Sequence, residues 1–238
     1  MNLRLIRVCL LFFLICNINF SQINMDLDII RGIKKPDLVG DTILLESRTH
    51  KAFEKMANEA KKDGIKLKIV SAYRGYDRQK QIWNNKYNKF TKTHSLEPVK
   101  AIEEIIRYST IPGTSRHHWG TDIDIIDGNF PDEKDALISS KFEEGGVFYG
   151  IKQWLDLNSK KFGFYLTYNN NPKRMGFDYE PWHYSYAPVS KKILNKLIES
   201  GLKQIIQKEN INGAEYFNDE FLTKYINQNI LDINPDLK

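Results

Sequence analysis

The sequence PGTSRHHWGTDID occupies residues 112–124. The Pro-Gly pair at its start predicts a tight turn, and the alternation of apolar and polar residues after Gly120 predicts a strand with one buried face. The turn carries two adjacent histidines, His117 and His118, and the strand that follows carries Asp124. A chain that folds back at the glycine can bring an imidazole and this carboxylate to one metal ion.

A third metal ligand is available in residues 180–183, Glu-Pro-Trp-His. A residue that precedes proline is disfavoured in a helix, so Glu180 and His183 should lie in extended chain. We expect His183 to bind the metal and Glu180 to remain free. A mixed nitrogen and oxygen set suits Zn²⁺, whose catalytic sites keep three protein ligands and one open position. Arg74, at the end of an earlier predicted strand, adds a cation and completes a hydrolytic set.

The pattern around these residues predicts one α+β domain over residues 23–238, with a small, mainly antiparallel sheet flanked by helices. Residues 23–41 are expected to be irregular and to pack over the domain. The periodicity predicts helices at 44–62, 76–90, 99–108, 147–161, 190–208 and 214–228, and strands at 65–74, 120–126, 164–167 and 182–186. The sequence contains no internal repeat and no regular βαβ order.

Composition excludes several classes of protein. The chain has 238 residues, of which 41% are hydrophobic and 27% charged, unlike disordered or collagen-like sequences. The formal net charge is +5 and the lysines are scattered, so we expect no nucleic-acid partner. No G-x-S-x-G motif is present, which argues against a serine hydrolase.

Residues 1–22 have the layout of a signal peptide, with two arginines before the apolar run 8–16. The run is too short to span a membrane, which takes about 20 apolar residues. We therefore expect an exported monomer, periplasmic or secreted. Cys9 and Cys16 both lie in this leader, so the mature chain has no thiolate ligand. Lipoprotein anchoring through Cys16 is disfavoured because Ile15 precedes it where a small residue is needed.

Three blocks of sequence resemble the zinc D-alanyl-D-alanine carboxypeptidases of the VanY type, in the LAS group of peptidoglycan metallopeptidases. Residues 71–79 resemble the pattern S-G-Y-R-S-x-x-x-Q of that family. Residues 115–124 resemble S-x-H-x-x-G-x-A-x-D, and residues 180–186 resemble E-P-W-H-x-x-Y. The blocks occur in the family's order, and their span covers about half of the chain.

The resemblance implies a LAS-type fold and assigns roles to the residues of the metal site. His117, Asp124 and His183 would hold one zinc ion per chain, and Glu180 would be the general base. The resemblance also decides between the adjacent histidines and makes His118 a neighbour of the site.

The same resemblance implies that the substrate is a peptidoglycan stem peptide, from which the terminal D-alanine is removed. Arg74, Gln79 and Ser115 would hold the C-terminal end of this peptide, and a guanidinium is well suited to a terminal carboxylate. Three alternatives stay open: an L,D-carboxypeptidase, an endopeptidase on the same scaffold, and a non-catalytic zinc module that binds the cell wall.

Two of the departures from the family pattern bear on the metal-site and arginine blocks. Ala72 replaces a glycine, and Asp122 replaces an alanine two residues before Asp124, on the same strand face if the strand is regular. We expect Asp122 to face solvent or to support the site from behind, although it could also perturb the site. Trp119 and Trp182 are expected to pack in the core rather than to line the cleft.

Overall fold

A four-stranded antiparallel sheet forms the centre of the structure, a computed structural model that describes residues 26–238. The helices are α1 (Leu27–Ile30), α2 (Ser47–Lys62), α3 (Tyr76–Asn88), α4 (Pro98–Ile105), α5 (Tyr149–Asn158), α6 (Ala187–Glu199), α7 (Leu202–Ile206) and α8 (Asp219–Tyr225). The strands are β1 (Leu38–Val39), β2 (Leu45–Glu46), β3 (Leu67–Ser71), β4 (Asp122–Asp127), β5 (Phe164–Leu166) and β6 (His183–Tyr186). The central sheet has the order β3-β4-β6-β5, which confirms the predicted α+β class with flanking helices. The predicted signal peptide lies outside the described residues.

The register of the central sheet places three polar residues in one row. Asp124 of β4 is paired with His183 of β6 on one side and with Ser71 of β3 on the other. Successive side chains of a strand point to opposite faces. Ile123 and Ile125 therefore point away from this row, into the apolar cluster that the sheet shares with α2 and α5.

An irregularity in β3 is needed for this row. Ile69 is paired with Ile125, yet Ser71 is paired with the preceding residue of β4, Asp124, so Val70 is an extra residue in the ladder. Such a bulge changes which face the following residue occupies. Val70 is exposed, and Ser71 is brought to the row that carries Asp124.

A second apolar cluster lies among the helices of the C-terminal half and the two helices that follow β3. It includes Trp83 of α3, Ile105 of α4, Leu194 of α6 and Tyr225 of α8. Tyr168 belongs to the same cluster. The two clusters give the domain a core on each side of the polar row.

The strand predicted at 120–126 begins at Asp122, because Gly120 adopts a left-handed conformation with φ of +68°. Gly120 ends a 3₁₀ turn over Arg116–Trp119 that the periodicity did not predict. A Cβ on this glycine would lie 2.9 Å from the backbone nitrogen of Glu46, so the close approach of β2 also requires glycine here.

The helix predicted at 190–208 is wrong in its continuity, because Gly201 has a φ of +75° and separates α6 from α7. The strand predicted at 65–74 ends earlier, at Ser71. The N-terminal segment that was expected to be irregular, residues 23–41, is more regular in its described part. It contains α1 and β1, and α1 contacts the domain through the buried Ile30. Within residues 26–238, the helices are all too short or too polar to cross a membrane.

Candidate functional site

Three buried side chains converge on one point at the polar row. His117, Asp124 and His183 each offer one ligand atom, and these atoms all lie within 4.8 Å of one another. His117 Nε2 is 3.6 Å from Asp124 Oδ2, and His183 Nδ1 is 3.7 Å from Asp124 Oδ1. Asp124 Oδ1 is buried without a hydrogen-bond partner, an arrangement that is costly unless a cation compensates it. The donor set therefore fits a divalent metal ion.

Backbone structure places each of these three residues. Asp124 and His183 are directly opposite on adjacent antiparallel strands, where Cβ atoms are about 4.5–5.5 Å apart. His117 comes from the 3₁₀ turn, and its carbonyl oxygen accepts a hydrogen bond from the Arg74 backbone N–H at 3.1 Å. The turn is thus tied to the segment that follows β3.

Each histidine of the set has its second ring nitrogen in a hydrogen bond. His117 Nδ1 donates to the carbonyl oxygen of Ala72 at 2.8 Å, which leaves Nε2 free for a metal. His183 Nε2 lies 3.1 Å from Asp122 Oδ1 and donates to it, while Nδ1 faces the carboxylates of Asp124 and Glu180. Partners of this kind fix the orientation and tautomer of metal-binding imidazoles.

His118 has no free ring nitrogen. Its Nδ1 donates to the carbonyl oxygen of Arg74 at 2.5 Å, and its Nε2 accepts from the backbone N–H of Gly113 at 3.2 Å. The side chain is fully buried, and this burial lowers the pKa of His118 to about 4. His118 therefore joins the Pro-Gly turn to the Arg74 segment and stays neutral at pH 7.

Asp122 is completely buried, at 0% exposure, so the expectation that it could face solvent is wrong. Its carboxylate accepts hydrogen bonds from Arg116 Nε at 2.8 Å, Thr121 Oγ1 at 2.8 Å and Ser185 Oγ at 2.9 Å. Burial acts to raise the pKa of Asp122, but the charges of Arg116 and His183 hold it below its usual range. Asp122 therefore supports His183 from behind as an ionised group.

The charges of the converging residues are strongly coupled. Burial lowers the pKa of His117 well below its usual value, which keeps this imidazole neutral. Burial also acts to lower the pKa of His183, but hydrogen bonds with Asp122 and Glu180 raise it to about 10. Burial raises the pKa of Asp124 to about 6. A metal bound at His183 Nδ1 would take the place of the proton that Glu180 stabilises there.

Glu180 lies beside the converging residues in a cleft of about 390 Å³. Its Oε2 is 2.9 Å from His183 Nδ1, and its carbonyl oxygen accepts from the His183 backbone N–H at 3.0 Å. The turn through Pro181 therefore places the carboxylate against the ligand nitrogen of the same segment. Trp182, between them, packs in the apolar cluster under the sheet as expected, and it also lines the cleft.

Arg74 lines the same cleft, and its guanidinium is held by two side chains. Nη1 donates to Gln79 Oε1 at 2.9 Å, and Nη2 donates to Ser71 Oγ at 3.3 Å. Gln79 is fully buried behind Arg74, and its Nε2 donates to the carbonyl oxygen of Thr110 at 2.9 Å. Gln79 therefore positions Arg74, and its predicted part in holding the substrate stays a prediction that would act through Arg74. Ser115 does line the cleft.

Trp119 packs as expected. Its ring is buried, the Arg116 guanidinium lies 4.7 Å from its centroid, and its Nε1 donates to the carbonyl oxygen of Ile30 at 3.0 Å. Through these contacts Trp119 connects the 3₁₀ turn to α1.

Sequence reasoning did not identify several residues that line the cleft, among them Lys86 and Tyr168. Lys86 is spaced from Gln79 and Trp83 as i, i+4 and i+7 on α3, and this periodicity could have placed it on the same helix face. Tyr168 packs edge-on against the His183 ring with 5.0 Å between centroids. No motif in the sequence signals the position of Tyr168.

Comparison with known families agrees with this geometry. A family model described as VanY, D-alanyl-D-alanine carboxypeptidase, matches residues 42–189. The chain belongs to this family. A putative carboxypeptidase of Bacillus subtilis strain 168, YodJ, is 32% identical over 169 residues, which are 70% of this chain and 50% of that protein. The chain therefore spans about half the length of this curated relative.

Solved structures share the fold. VanYB in complex with D-alanine-D-alanine matches with a TM-score of 0.52 and 24% identity, over 73% of this chain and 90% of that one. The L,D-carboxypeptidase LdcB matches with a TM-score of 0.51 and 26% identity, over 78% of this chain and 79% of that one. Proteins that share this fold thus include one solved with D-alanine-D-alanine bound and one described as an L,D-carboxypeptidase.

The buried pair Arg116–Asp122 leads to a prediction about stability. Asp122→Ala should lower the free energy of unfolding by about 3–5 kcal/mol, because the Arg116 guanidinium is left buried without a counter-charge. The double variant Arg116→Met with Asp122→Ala removes both charges and should recover most of the loss. Denaturant unfolding with a chelator present measures both variants against wild type. If Asp122→Ala were as stable as the double variant, the interpretation of Arg116 and Asp122 as a buried pair of charges would be wrong.

Proposed function

We propose that this chain is a zinc-dependent D,D-carboxypeptidase that removes the terminal D-alanine from peptidoglycan stem peptides. The observation that carries the proposal is the composition of one cleft. It holds the His117, Asp124 and His183 set, the Glu180 carboxylate beside that set, and the Arg74 guanidinium. Membership in the VanY family supports the same reaction class.

His117 Nε2, an oxygen of Asp124 and His183 Nδ1 are the atoms that would hold the metal. Two imidazoles and one carboxylate match a catalytic zinc site, which keeps one position open for water or substrate. When bound, zinc would serve as the Lewis acid that polarises the scissile carbonyl group. The Ala72 carbonyl and the Asp122 carboxylate would keep the two imidazoles correctly oriented.

Glu180 is the proposed general base. Its carboxylate lines the cleft and lies next to His183 Nδ1, so it can accept a proton from the attacking water. The same carboxyl group can then donate this proton to the leaving amine of D-alanine. The reaction needs no covalent enzyme intermediate, because the attacking group is water.

Arg74 is the proposed reader of the terminal carboxylate. Gln79 and Ser71 hold two nitrogens of its guanidinium, so the planar fork is oriented before a substrate arrives. Charge-assisted pairs of this kind add geometric selectivity as well as affinity. Ser115, in the wall of the same cleft, would add a polar contact to the substrate end. A residue that binds the free carboxylate favours exopeptidase over endopeptidase action.

Two further points belong to the proposal. The signal peptide predicted at residues 1–22 would bring the domain to the periplasm or the exterior, where stem peptides occur. The similarity to LdcB favours L,D-carboxypeptidase activity as the second candidate. Mass spectrometry of pentapeptide and tetrapeptide stems after incubation distinguishes the two activities by the alanine that is lost.

The purified domain should contain about one zinc per chain. His183→Ala should lose most of this metal, because one of three ligands is removed. His118→Ala is the matched control and should retain zinc, since both ring nitrogens of His118 already have partners. Elemental analysis measures both variants. Equal loss of zinc from the two would show that the ligand set is wrong.

Glu180→Gln should keep zinc and lose turnover by about a hundredfold or more, because glutamine cannot accept the proton of the attacking water. Metal content and the rate of D-alanine release are measured on the same preparation. A variant that stays within a few-fold of wild type would mean that another group accepts the proton.

Wild type should cleave a peptide ending in D-Ala-D-Ala much faster than the same peptide with an amidated C-terminus. Arg74→Ala should slow the free acid about 10- to 100-fold, the value of one charge-assisted contact, and should hardly change the amide. Steady-state kinetics on both peptides measure this ratio. Equal rates for wild type on both peptides would favour the endopeptidase alternative.

A further inference from the structure

Lys86 is a second cation in the wall of the cleft that contains Arg74 and Glu180. Its side chain is half-buried, and its Nζ donates to Ser109 Oγ at 2.6 Å. Among residues 26–238, the ion pairs within 4.0 Å involve neither Lys86 nor Arg74. The cleft therefore holds two cations that have no close carboxylate partner in the described part of the chain.

Helix α3 explains the position of Lys86. Gln79, Trp83 and Lys86 lie on one face of this helix, and Gln79 contacts Arg74. Trp83 is fully buried, and its Nε1 donates to the carbonyl oxygen of Asn212 at 2.9 Å, which fixes the rotation of the helix. Long helical side chains lean toward the helix N-terminus, so Lys86 leans toward the end at which Arg74 lies.

The two cations are close enough to influence each other. Burial lowers the pKa of Lys86, the positive charge of Arg74 lowers it further, and the negative charge of Glu180 acts in the opposite direction. The Ser109 hydroxyl accepts one hydrogen bond from Lys86 but brings no negative charge. Cations that lose water without a carboxylate in direct contact are costly, and an anionic ligand bound to both would reduce this cost.

We propose that Lys86 binds the C-terminal carboxylate of the substrate together with Arg74. This inference rests on the proposed function and deepens it, because it names the part of the substrate that the second cation recognises. Arg74 supplies the planar fork that fixes the orientation of the carboxylate, whereas Lys86 supplies a point charge. Lys86 would therefore strengthen binding of every substrate with a free carboxyl end, before and during the reaction.

Kinetics of Lys86→Met test the proposal, because methionine keeps an unbranched apolar stem and removes the charge. For the free acid ending in D-Ala-D-Ala, KM should rise about tenfold or more while kcat stays near that of wild type. The amidated peptide should be unaffected, and Lys86→Arg should restore much of the loss. Lys89→Met is the matched control: Lys89 follows α3 directly, is exposed, lies outside the cleft and carries the same charge.

Calorimetric binding of the same two peptides to zinc-loaded Glu180→Gln protein separates this inference from the proposed function. If wild type releases no D-alanine, the proposed function fails, yet weaker free-acid binding in the Lys86→Met, Glu180→Gln double variant would still support the role of Lys86. Unchanged free-acid binding in that double variant would overturn the inference. An equal loss for acid and amide would also overturn it, because Lys86 would then shape the cleft rather than read the carboxylate.

Discussion

The pairing of Asp124 with His183 across β4 and β6 is the constraint on which the site depends. A slip of one residue would turn one of the two side chains to the opposite face and separate them. Ile123 and Ile125 resist such a slip, because it would move them out of the apolar cluster under the sheet. The extra residue Val70 in β3 then extends the row to a third strand. The apolar side of the sheet therefore holds the polar side in register.

A second set of contacts fixes the orientation of the two imidazole rings. His117 donates to a backbone carbonyl oxygen, but His183 donates to a carboxylate, Asp122. Asp122 stands where the family pattern has alanine, and it remains ionised because Arg116 and His183 accompany it in the interior. A buried pair of this type is costly to desolvate, so its benefit lies in orientation rather than in stability. In this chain a buried pair of opposite charges, Arg116 and Asp122, therefore supports the imidazole of His183.

Motif spacing was sufficient to bring His117, Asp124, His183 and Glu180 together, because the motifs lie on a turn and two strand segments whose geometry is regular. Motif spacing was not sufficient to predict how deeply each of these residues is buried. Alternation correctly placed Asp122 on the face of Asp124, but β4 lies between two strands and is covered on both faces, so this face is buried. Periodicity also gives no sign of where a left-handed glycine or a bulge will end an element, because each depends on contacts from distant residues.

The distribution of charge along the cleft gives the site a direction. Asp124 and Glu180 lie with the histidines at one part of the wall, and Arg74 is connected to them through Ser71 and the carbonyl oxygen of His117. These connections fix the distance between the carboxylates and the guanidinium within a single rigid unit. In the proposed function, a peptide whose terminal carboxylate binds Arg74 would place a bond near its end beside the metal-binding residues. The proposed exopeptidase selectivity would then depend on the same sheet register that assembles the ligands, because Arg74 follows β3 and Asp124 lies in β4.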